Sequence, residues 1–460
     1  MFVFNDCRND ARVLREAGSL AAAGHEVTVV ARVADPSSAD AETENRDGFR
    51  IIRVPIPQGR RALWRWFSAP WSLRPAWTAS TKSAARRLPS SLPELLRQLG
   101  IGLVSLPWFT IRLSVRVASR GREARSGRSS LDWYAWWRLV LLGWAAAAAE
   151  AAPPGDFWHG HDATGLEAAG RAFRRRGGAI VYDSHEIFLE SGSNAARPRV
   201  LKALIARSER GWTHRAMALV TVNDSLAAEL GRRLRPRRTV VVHNAPDRWD
   251  PPPERAELIR AAAGIAADAA IALYHGGFSA HRGLEELAAA ILEPGLECVH
   301  AVYLGYGSMR AGLDAMARDP RYGGRIHVLN AVPPSELIPW VASADVGVMP
   351  IQASTLNHRL STPNKLFESL AGGLPVVVSD FPEMRSIVLD NPGGPLGEVC
   401  DPSDPASIAA AIRRVLDPTE GERRALRARC LAAAHERWNW EHESAALVAL
   451  YAALAGEGGR

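Results

Sequence analysis

The chain has 460 residues, of which 47% are hydrophobic and 23% charged, as is typical of a globular protein with two or three domains. Its four cysteines show no CxxC spacing, which argues against a disulfide framework and against a cysteine zinc site. The first residues, MFVFNDCRND, have no basic start followed by a long apolar run. This beginning argues against a secretory signal and predicts a cytoplasmic protein.

Helices and strands alternate along the first half of the chain. Residues 11–23 carry apolar side chains at helical spacing and are followed by Gly24, and HEVTVVA (25–31) predicts a buried strand. After residue 156 the alternation resumes, with predicted strands at 157–162, 179–186, 218–223 and 239–246 and predicted helices at 164–176, 198–215 and from Ser225.

A second α/β series follows the sequence Asp250-Pro251-Pro252-Pro253, which predicts a linker because three prolines fit neither a helix nor a central strand. Predicted strands are 271–277, 300–307, 325–330, 345–351 and 375–380, and predicted helices are 283–292, 308–317, 334–343, 364–371, 383–388 and a region at 405–455. The pattern predicts two doubly wound, Rossmann-like α/β domains, with ligands beyond the carboxyl ends of the strands in a shared cleft. The predicted domains are 1–249 and 250–435, with a terminal helix at 436–460.

Residues 60–150 differ in composition from the rest of the chain. They hold nine of the 15 tryptophans and carry a net charge of +11, whereas the remaining residues sum to −4. Basic and aromatic side chains together favour contact with an anionic membrane surface. The alternative is a helical insertion whose tryptophans pack into the first domain while arginines reach outward. No nucleic-acid motif is visible, so we predict no nucleic-acid partner.

The segment STPNKLFESLAGGLPVVVSD (361–380) is the densest candidate site. Pro363 suits the first turn of a helix, so Asn364 and Lys365 lie at the positive end of the helix dipole, where a phosphate group binds well. Glu368 shares a helical face with Lys365, and its carboxylate is able to accept hydrogen bonds from two ribose hydroxyls. The alternative is a capped helix with a Lys–Glu surface pair.

Two further strand-to-helix junctions in this half are rich in glycine. In YHGGFSAHRG (274–283), Gly276 and Gly277 allow a ligand to approach the backbone closely, and Arg282 is suited to a diphosphate. LGYGSM (304–309) is a junction of the same kind. Read singly, each is explained by a glycine turn with a solvated arginine, and it is their repetition in one domain that favours a binding site.

In the first half, HGHD (159–162) and YDSHE (182–186) bring polar groups to the ends of two strands. These strand ends make His161, Asp162, His185 and Glu186 candidates for the ligand cleft. Each histidine alone is more simply explained as a satisfied polar residue near the surface. A metal site is disfavoured because the groups lack the spacing that metal sites show.

Taken together and in order, these motifs resemble the retaining GT-B glycosyltransferases of family 4, and in particular a subgroup that carries PNKLFE. The resemblance covers almost all of the chain except 60–150. It implies that Glu368 holds the ribose, that Lys365 and Arg282 hold the diphosphate, and that the backbone around Val332 meets the base. It also implies that His185 is the catalytic residue, lying over the transferred sugar and stabilising the transition state. The cleft or acceptor side would hold His161, Asp162 and Glu186, and the last helix would cross back to the first domain. The family often has an additional glutamate, and Leu360 stands at its position here.

The expected activity is therefore metal-independent, retaining transfer of a hexose or a related sugar from a nucleotide-sugar donor, without a cofactor. The acceptor is expected to be a sugar or a lipid-linked sugar, in polysaccharide or glycoconjugate assembly at the inner face of the cell membrane. Two alternatives remain open on the sequence. One is a nucleotide-sugar epimerase of the same fold, and the other is a non-catalytic sugar-nucleotide-binding partner, which Leu360 favours.

Overall fold

A computed structural model describes residues 1–68 and 130–458, which form two compact units. The first unit comprises Met1–Asn9, Thr28–Ile180 and Ala196–Trp212, and the second comprises Asp10–Val27, Val181–Ala195 and Thr213–Arg460. The predicted domain limits at 249 and 435 stay predictions. Residues 69–129, which make up most of the basic, tryptophan-rich segment, lie outside the described residues.

The elements of the N-terminal half follow in chain order. They are α1 (Ala11–Ala22), β1 (Val27–Arg32), β2 (Glu42–Arg46), β3 (Phe49–Val54), α2 (Gln58–Ser68), α3 (Ser130–Trp136), a π-helical turn (Trp137–Leu141), α4 (Leu142–Ala151), β4 (Phe157–His161), α5 (Asp162–Arg176), β5 (Ala179–Ser184), α6 (Arg199–Thr213), β6 (Ala216–Thr221), α7 (Asp224–Leu234) and β7 (Thr239–Val241). Asp10 caps α1 by accepting a hydrogen bond from the Val13 amide.

The elements of the C-terminal half continue the series. They are α8 (Leu258–Ala263), β8 (Ala270–Gly277), α9 (Leu284–Ala290), β9 (Val299–Tyr306), α10 (Arg310–Arg318), β10 (Ile326–Asn330), α11 (Leu337–Ala342), β11 (Val346–Met349), α12 (Leu356–Leu360), α13 (Asn364–Ala371), β12 (Val376–Ser379), α14 (Pro382–Leu389), β13 (Gly397–Cys400), α15 (Pro405–Leu416), α16 (Glu420–Glu436) and α17 (Trp440–Gly458). Among the described residues, none of these helices combines the length and the apolar character that crossing a bilayer requires.

The second unit contains a six-stranded sheet in the order β10-β9-β8-β11-β12-β13, with every pair parallel. In this order the chain adds strands on one side of β8 and then, from β11 onward, on the other, and doubly wound sheets bind their ligands at such a topological switch point. Apolar side chains cover both faces of the sheet, with Tyr303 and Leu287 on one side and Leu304 and Val341 on the other. The predicted doubly wound parallel α/β sheet is confirmed here.

The first unit contains a three-stranded sheet in the order β1-β3-β2, in which β2 and β3 form an antiparallel hairpin. The sequence did not predict this hairpin because β2 (ETENR) has no apolar residue that would produce alternation. In the same unit, Trp133, Trp137 and Trp144 are buried, and the rings of Trp144 and Phe4 lie 5.0 Å apart. For this part of the basic segment, the tryptophans pack into the protein core.

The last helix, α17, packs on α1 and β7 within the second unit. The indole Nε1 of Trp440 donates to Ser19 Oγ at 2.9 Å. Glu443 accepts a hydrogen bond from the His243 backbone amide at 2.7 Å and contacts the His243 ring Nδ1 at 3.1 Å. The Val242 amide still donates to the Thr221 carbonyl of β6 at 2.8 Å, whereas the His243 amide bonds to α17, so the strand predicted at 239–246 is shorter in the structure.

Candidate functional site

A cavity of about 500 Å³ opens beyond the carboxyl ends of β8, β9 and β10 and at the start of α13, within the second unit. Its volume lies in the range of small-molecule binding sites. All seven residues predicted to bind the donor line it: Gly276, Gly277, Arg282, Val332, Asn364, Lys365 and Glu368. The structure therefore brings together side chains and backbone from three junctions that are separate in the sequence.

Lys365 lies in the first turn of α13 with its ammonium group over the ring of Tyr274, 4.7 Å from the centroid. Burial and the nearby Arg282 lower the pKa of Lys365 to about 8, although Glu368 acts in the opposite direction. Beside it, Gly276 has φ +105°, a conformation that favours glycine. The lysine side chain lies close to this glycine, since a Cβ there would be 3.6 Å from Lys365 Cε. The cation is thus held at a helix N-terminus where a phosphate oxygen can reach it.

Glu368, one turn further along α13, is hydrogen-bonded to a histidine that was not among the predicted site residues. His275 Nε2 lies 3.0 Å from Glu368 Oε2, and His275 is buried at the end of β8. Burial raises the pKa of Glu368, but the hydrogen bond from His275 and the charges of His275, Lys365 and Arg15 outweigh it, so that the pKa falls below its ordinary value. The carboxylate is therefore ionised and oriented at neutral pH.

A second chain of contacts that the sequence analysis missed reaches the start of α13 from α1. Arg15 donates to the Ala245 carbonyl and to Asn244 Oδ1, each at 2.6 Å, and Asn244 Nδ2 donates to Asn364 Oδ1 at 3.0 Å. Arg15 and Asn244 lie in the quoted motifs DARVLREA and VVHNAP, but nothing in their spacing marks them as partners. They orient Asn364 at the wall of the cavity.

His185 lies on the loop that follows β5, and its Nε2 is 2.8 Å from Asp183 Oδ2. Arg12 of α1 holds both oxygens of Asp183, at 2.9 and 3.0 Å, and contacts Glu16 at 2.9 Å. Burial, together with the charge of Asp183, raises the pKa of Glu16 to about 8, against the effect of Arg12. His185 is 23% exposed, so its ring is held from one side and reaches solvent on the other.

The segments that follow β5 and β6 are hydrogen-bonded to α12, the short helix that precedes α13. Asn357 accepts a hydrogen bond from the Ile187 amide at 2.8 Å and donates to the Ile187 carbonyl at 3.0 Å. Asn223 Nδ2 donates to the Leu360 carbonyl at 2.8 Å. This bond holds the backbone of Leu360 in place. Glu186 is half-buried, and its carbonyl accepts from Ser184 Oγ at 2.9 Å.

His161 and Asp162 belong to the first unit. His161 is buried as the last residue of β4, and Asp162 begins α5 with φ +55°, a left-handed conformation that is uncommon outside glycine. Such strain often marks a functional position, but the acceptor role predicted for these two residues stays a prediction.

Each half of the chain matches a known protein family. Residues 10–245, just over half of the chain, match the family described as glycosyl transferase 4-like domain. The chain belongs to this glycosyltransferase family. Residues 269–418, which contain the cavity-lining junctions, match the family described as glycosyl transferases group 1.

The curated relatives are matched by this chain over only part of their length. A D-inositol 3-phosphate glycosyltransferase of Xylanimonas cellulosilytica is 30% identical to this chain over an alignment that covers 42% of this chain and 45% of the relative's length. A glycogen synthase of Mycobacterium tuberculosis is 29% identical over 40% of this chain and 43% of its own. The chain thus spans about half the length of the curated relatives that it matches.

Solved structures resemble this chain over a larger share of its length. A sucrose-phosphate synthase from Thermosynechococcus elongatus has a TM-score of 0.62 at 17% identity and covers 97% of this chain and 93% of its own. Anabaena HepE, solved with UDP and glucose, has a TM-score of 0.53 at 18% identity and covers 69% of this chain and 83% of its own. These likenesses show the fold, and the predicted GT-B class with two Rossmann-like domains is confirmed.

Proposed function

We propose that this glycosyltransferase transfers a hexose or a related sugar from a nucleoside-diphosphate sugar to a sugar or lipid-linked acceptor, with retention of anomeric configuration. The observation that carries the proposal is the cavity lined by Lys365, Arg282 and Glu368 at the carboxyl edge of the sheet. The solved structure of Anabaena HepE contains UDP and glucose, which supports a nucleotide-sugar donor. Retention and membership of family 4 follow from the sequence resemblance.

The charges in the cavity suit a diphosphate leaving group. Bond cleavage places negative charge on the leaving phosphate, and fixed cations with helix-end amides stabilise that charge where it develops. Lys365 and Arg282 both line the cavity, and Lys365 lies at the N-terminus of α13. We therefore propose transfer without a metal ion, and a chelator such as EDTA is expected to leave turnover unchanged.

The other parts of the donor are assigned by the same reasoning. The ionised carboxylate of Glu368 is a strong acceptor for the ribose hydroxyls, and the apolar wall near Val332 suits the base. His185 is proposed to face the transferred sugar and to stabilise the transition state. His161, Asp162 and Glu186 are proposed to line the acceptor side.

A donor panel tests the function directly. The purified chain is incubated with UDP-, GDP- and dTDP-sugars, and release of the nucleoside diphosphate, with or without acceptor, is measured. Release supports the transferase, conversion of one nucleotide sugar into another identifies an epimerase, and binding without turnover identifies a non-catalytic partner. Of these outcomes, only release is consistent with the proposal.

Replacing Glu368 by alanine is expected to weaken UDP binding about 10- to 100-fold, because hydrogen bonds to a charged acceptor are lost. Wild type should also bind 2′-deoxy-UDP more weakly than UDP, whereas Glu368→Ala should bind both equally. Calorimetry measures the affinities, and Glu420→Ala on the exposed face of α16 is the matched control. A variant that still prefers UDP over its deoxy form would contradict the ribose assignment.

The affinity for UDP is expected to fall about tenfold between pH 7 and pH 9. The pKa of Lys365 lies near 8, so the side chain is a cation below that pH and a neutral amine above it, and only the cation attracts the diphosphate. Lys365→Arg stays charged throughout this range and should give a flat profile. Equal slopes for the two proteins, measured by calorimetry, would show that another group is responsible.

We also propose peripheral binding to the inner face of the membrane, within polysaccharide or glycoconjugate assembly. The net charge of +11 over residues 60–150 supports this proposal, because anionic headgroups attract basic segments. Liposome flotation measures it: co-flotation with anionic vesicles and not with neutral ones is expected. Failure to float with either would overturn the membrane proposal without affecting the proposed transferase activity.

A further inference from the structure

Tyr306, the last residue of β9, lines the cavity and is 71% exposed. Where the structure describes side-chain exposure, Tyr306 is the one aromatic in the set of exposed large apolar side chains. Large aromatic rings usually gain stability by burial, so an open ring inside a binding cavity calls for a ligand that covers it. The proposed donor roles of Lys365, Arg282 and Glu368 do not use this ring.

The backbone on both sides of Tyr306 is fixed. A Cβ on Gly305 would lie 1.9 Å from the Gly276 carbonyl oxygen, and a Cβ on Gly307 would lie 2.2 Å from the Phe278 carbonyl oxygen. The Tyr306 carbonyl accepts a hydrogen bond from the Phe278 amide at 2.7 Å. Of the three positions 305–307, only the middle one therefore has room for a side chain. The backbone that carries it is held against the end of β8.

The alternation of side chains along β9 determines on which face of the sheet the Tyr306 ring lies. Side chains alternate along a strand, so Tyr306 shares a face with Val302 and Leu304, which pack in the core against α11. Where this face of the sheet reaches the cavity, the cavity wall is apolar and includes Val332, Pro334 and Leu337. The ring thus belongs to the apolar part of the cavity, whereas the cations come from the loop after β8 and the start of α13.

We infer that the Tyr306 ring is the stacking platform for the nucleobase of the donor, opposite the cationic end that takes the diphosphate. This inference rests on the proposed function and adds to it a residue that binds the base of the donor. A nucleobase is a flat π-system that stacks on an aromatic ring in an offset arrangement. The interaction depends on the ring and not on the phenol hydroxyl, and it accepts both purines and pyrimidines.

Calorimetry with UDP, GDP and inorganic pyrophosphate tests the inference on wild type, Tyr306→Ala and Tyr306→Phe. Alanine is expected to weaken UDP and GDP about 5- to 30-fold, as is usual for loss of a stacked base, and to leave pyrophosphate within about twofold. Phenylalanine keeps the ring and should bind UDP and GDP like wild type. Thermal unfolding of the variants checks that each is folded.

Three results would overturn the platform. These are unchanged UDP and GDP affinity in Tyr306→Ala, an equal loss for pyrophosphate and the nucleotides, and an equal loss in Tyr306→Phe and Tyr306→Ala. In each case wild type still binds nucleoside diphosphates, so the proposed function stands. If wild type binds neither UDP nor GDP, the proposed function and the platform fail together.

Discussion

Replacing Lys365 by alanine is expected to lower kcat/KM for the nucleotide-sugar donor at least 100-fold. The ammonium group lies in the first turn of α13 in a partly desolvated position, where a fixed charge acts strongly on a developing phosphate charge. Removing one group that stabilises a developing anion commonly costs 10²–10³ in rate, which is about 3–4 kcal/mol. Initial rates of nucleoside diphosphate release at saturating acceptor measure the effect.

The matched control for this variant is Arg424→Ala, which removes an exposed cation of α16. Its activity should be that of wild type, because surface ion pairs contribute little. If Lys365→Ala retained more than a fifth of wild-type kcat/KM while folded, the diphosphate would have to be held elsewhere, and the cavity would lose its proposed role.

Replacing His185 by alanine is expected to lower kcat about 10²- to 10³-fold while the affinity for UDP changes less than threefold. The reason is that His185 is proposed to act on the transferred sugar, whereas the cavity proposed to hold the nucleotide is lined by other residues. Its ring is held by Asp183, which Arg12 fixes in turn, so the imidazole is oriented in advance. Steady-state kinetics combined with calorimetry separate the two effects.

His214→Ala is a suitable control because His214 is exposed and directly follows α6. It should change neither kcat nor UDP affinity. A loss of UDP affinity in His185→Ala that matches its loss of kcat would assign His185 to donor binding, contrary to the proposed role in the transition state. A kcat within fivefold of wild type would remove His185 from the chemistry altogether.

Much of the candidate site was predictable because each part lies at a local junction of the sequence. A buried strand that ends in glycines, followed by a helix, is recognisable from periodicity and turn chemistry alone. The junction after β8 is of this kind, the start of α13 was recognisable from Pro363, and Val332 was expected only from the family resemblance; all of them line one cavity. The strands that the sequence analysis did not predict include β3, which is central in its sheet, and the short edge strands β2 and β13, which lack a distinctive apolar pattern.

The sequence by itself determined the α/β alternation, the helix that begins with Asn364 and the strand ends that carry the polar groups, because these depend on neighbouring residues. The tertiary structure alone decided which polar groups meet. Glu368 pairs with His275, 93 positions away, Arg15 contacts Asn244 across 229 positions, and Arg12 binds Asp183 across 171. Such partners depend on how distant elements pack, and the spacing of residues along one chain carries no record of that packing.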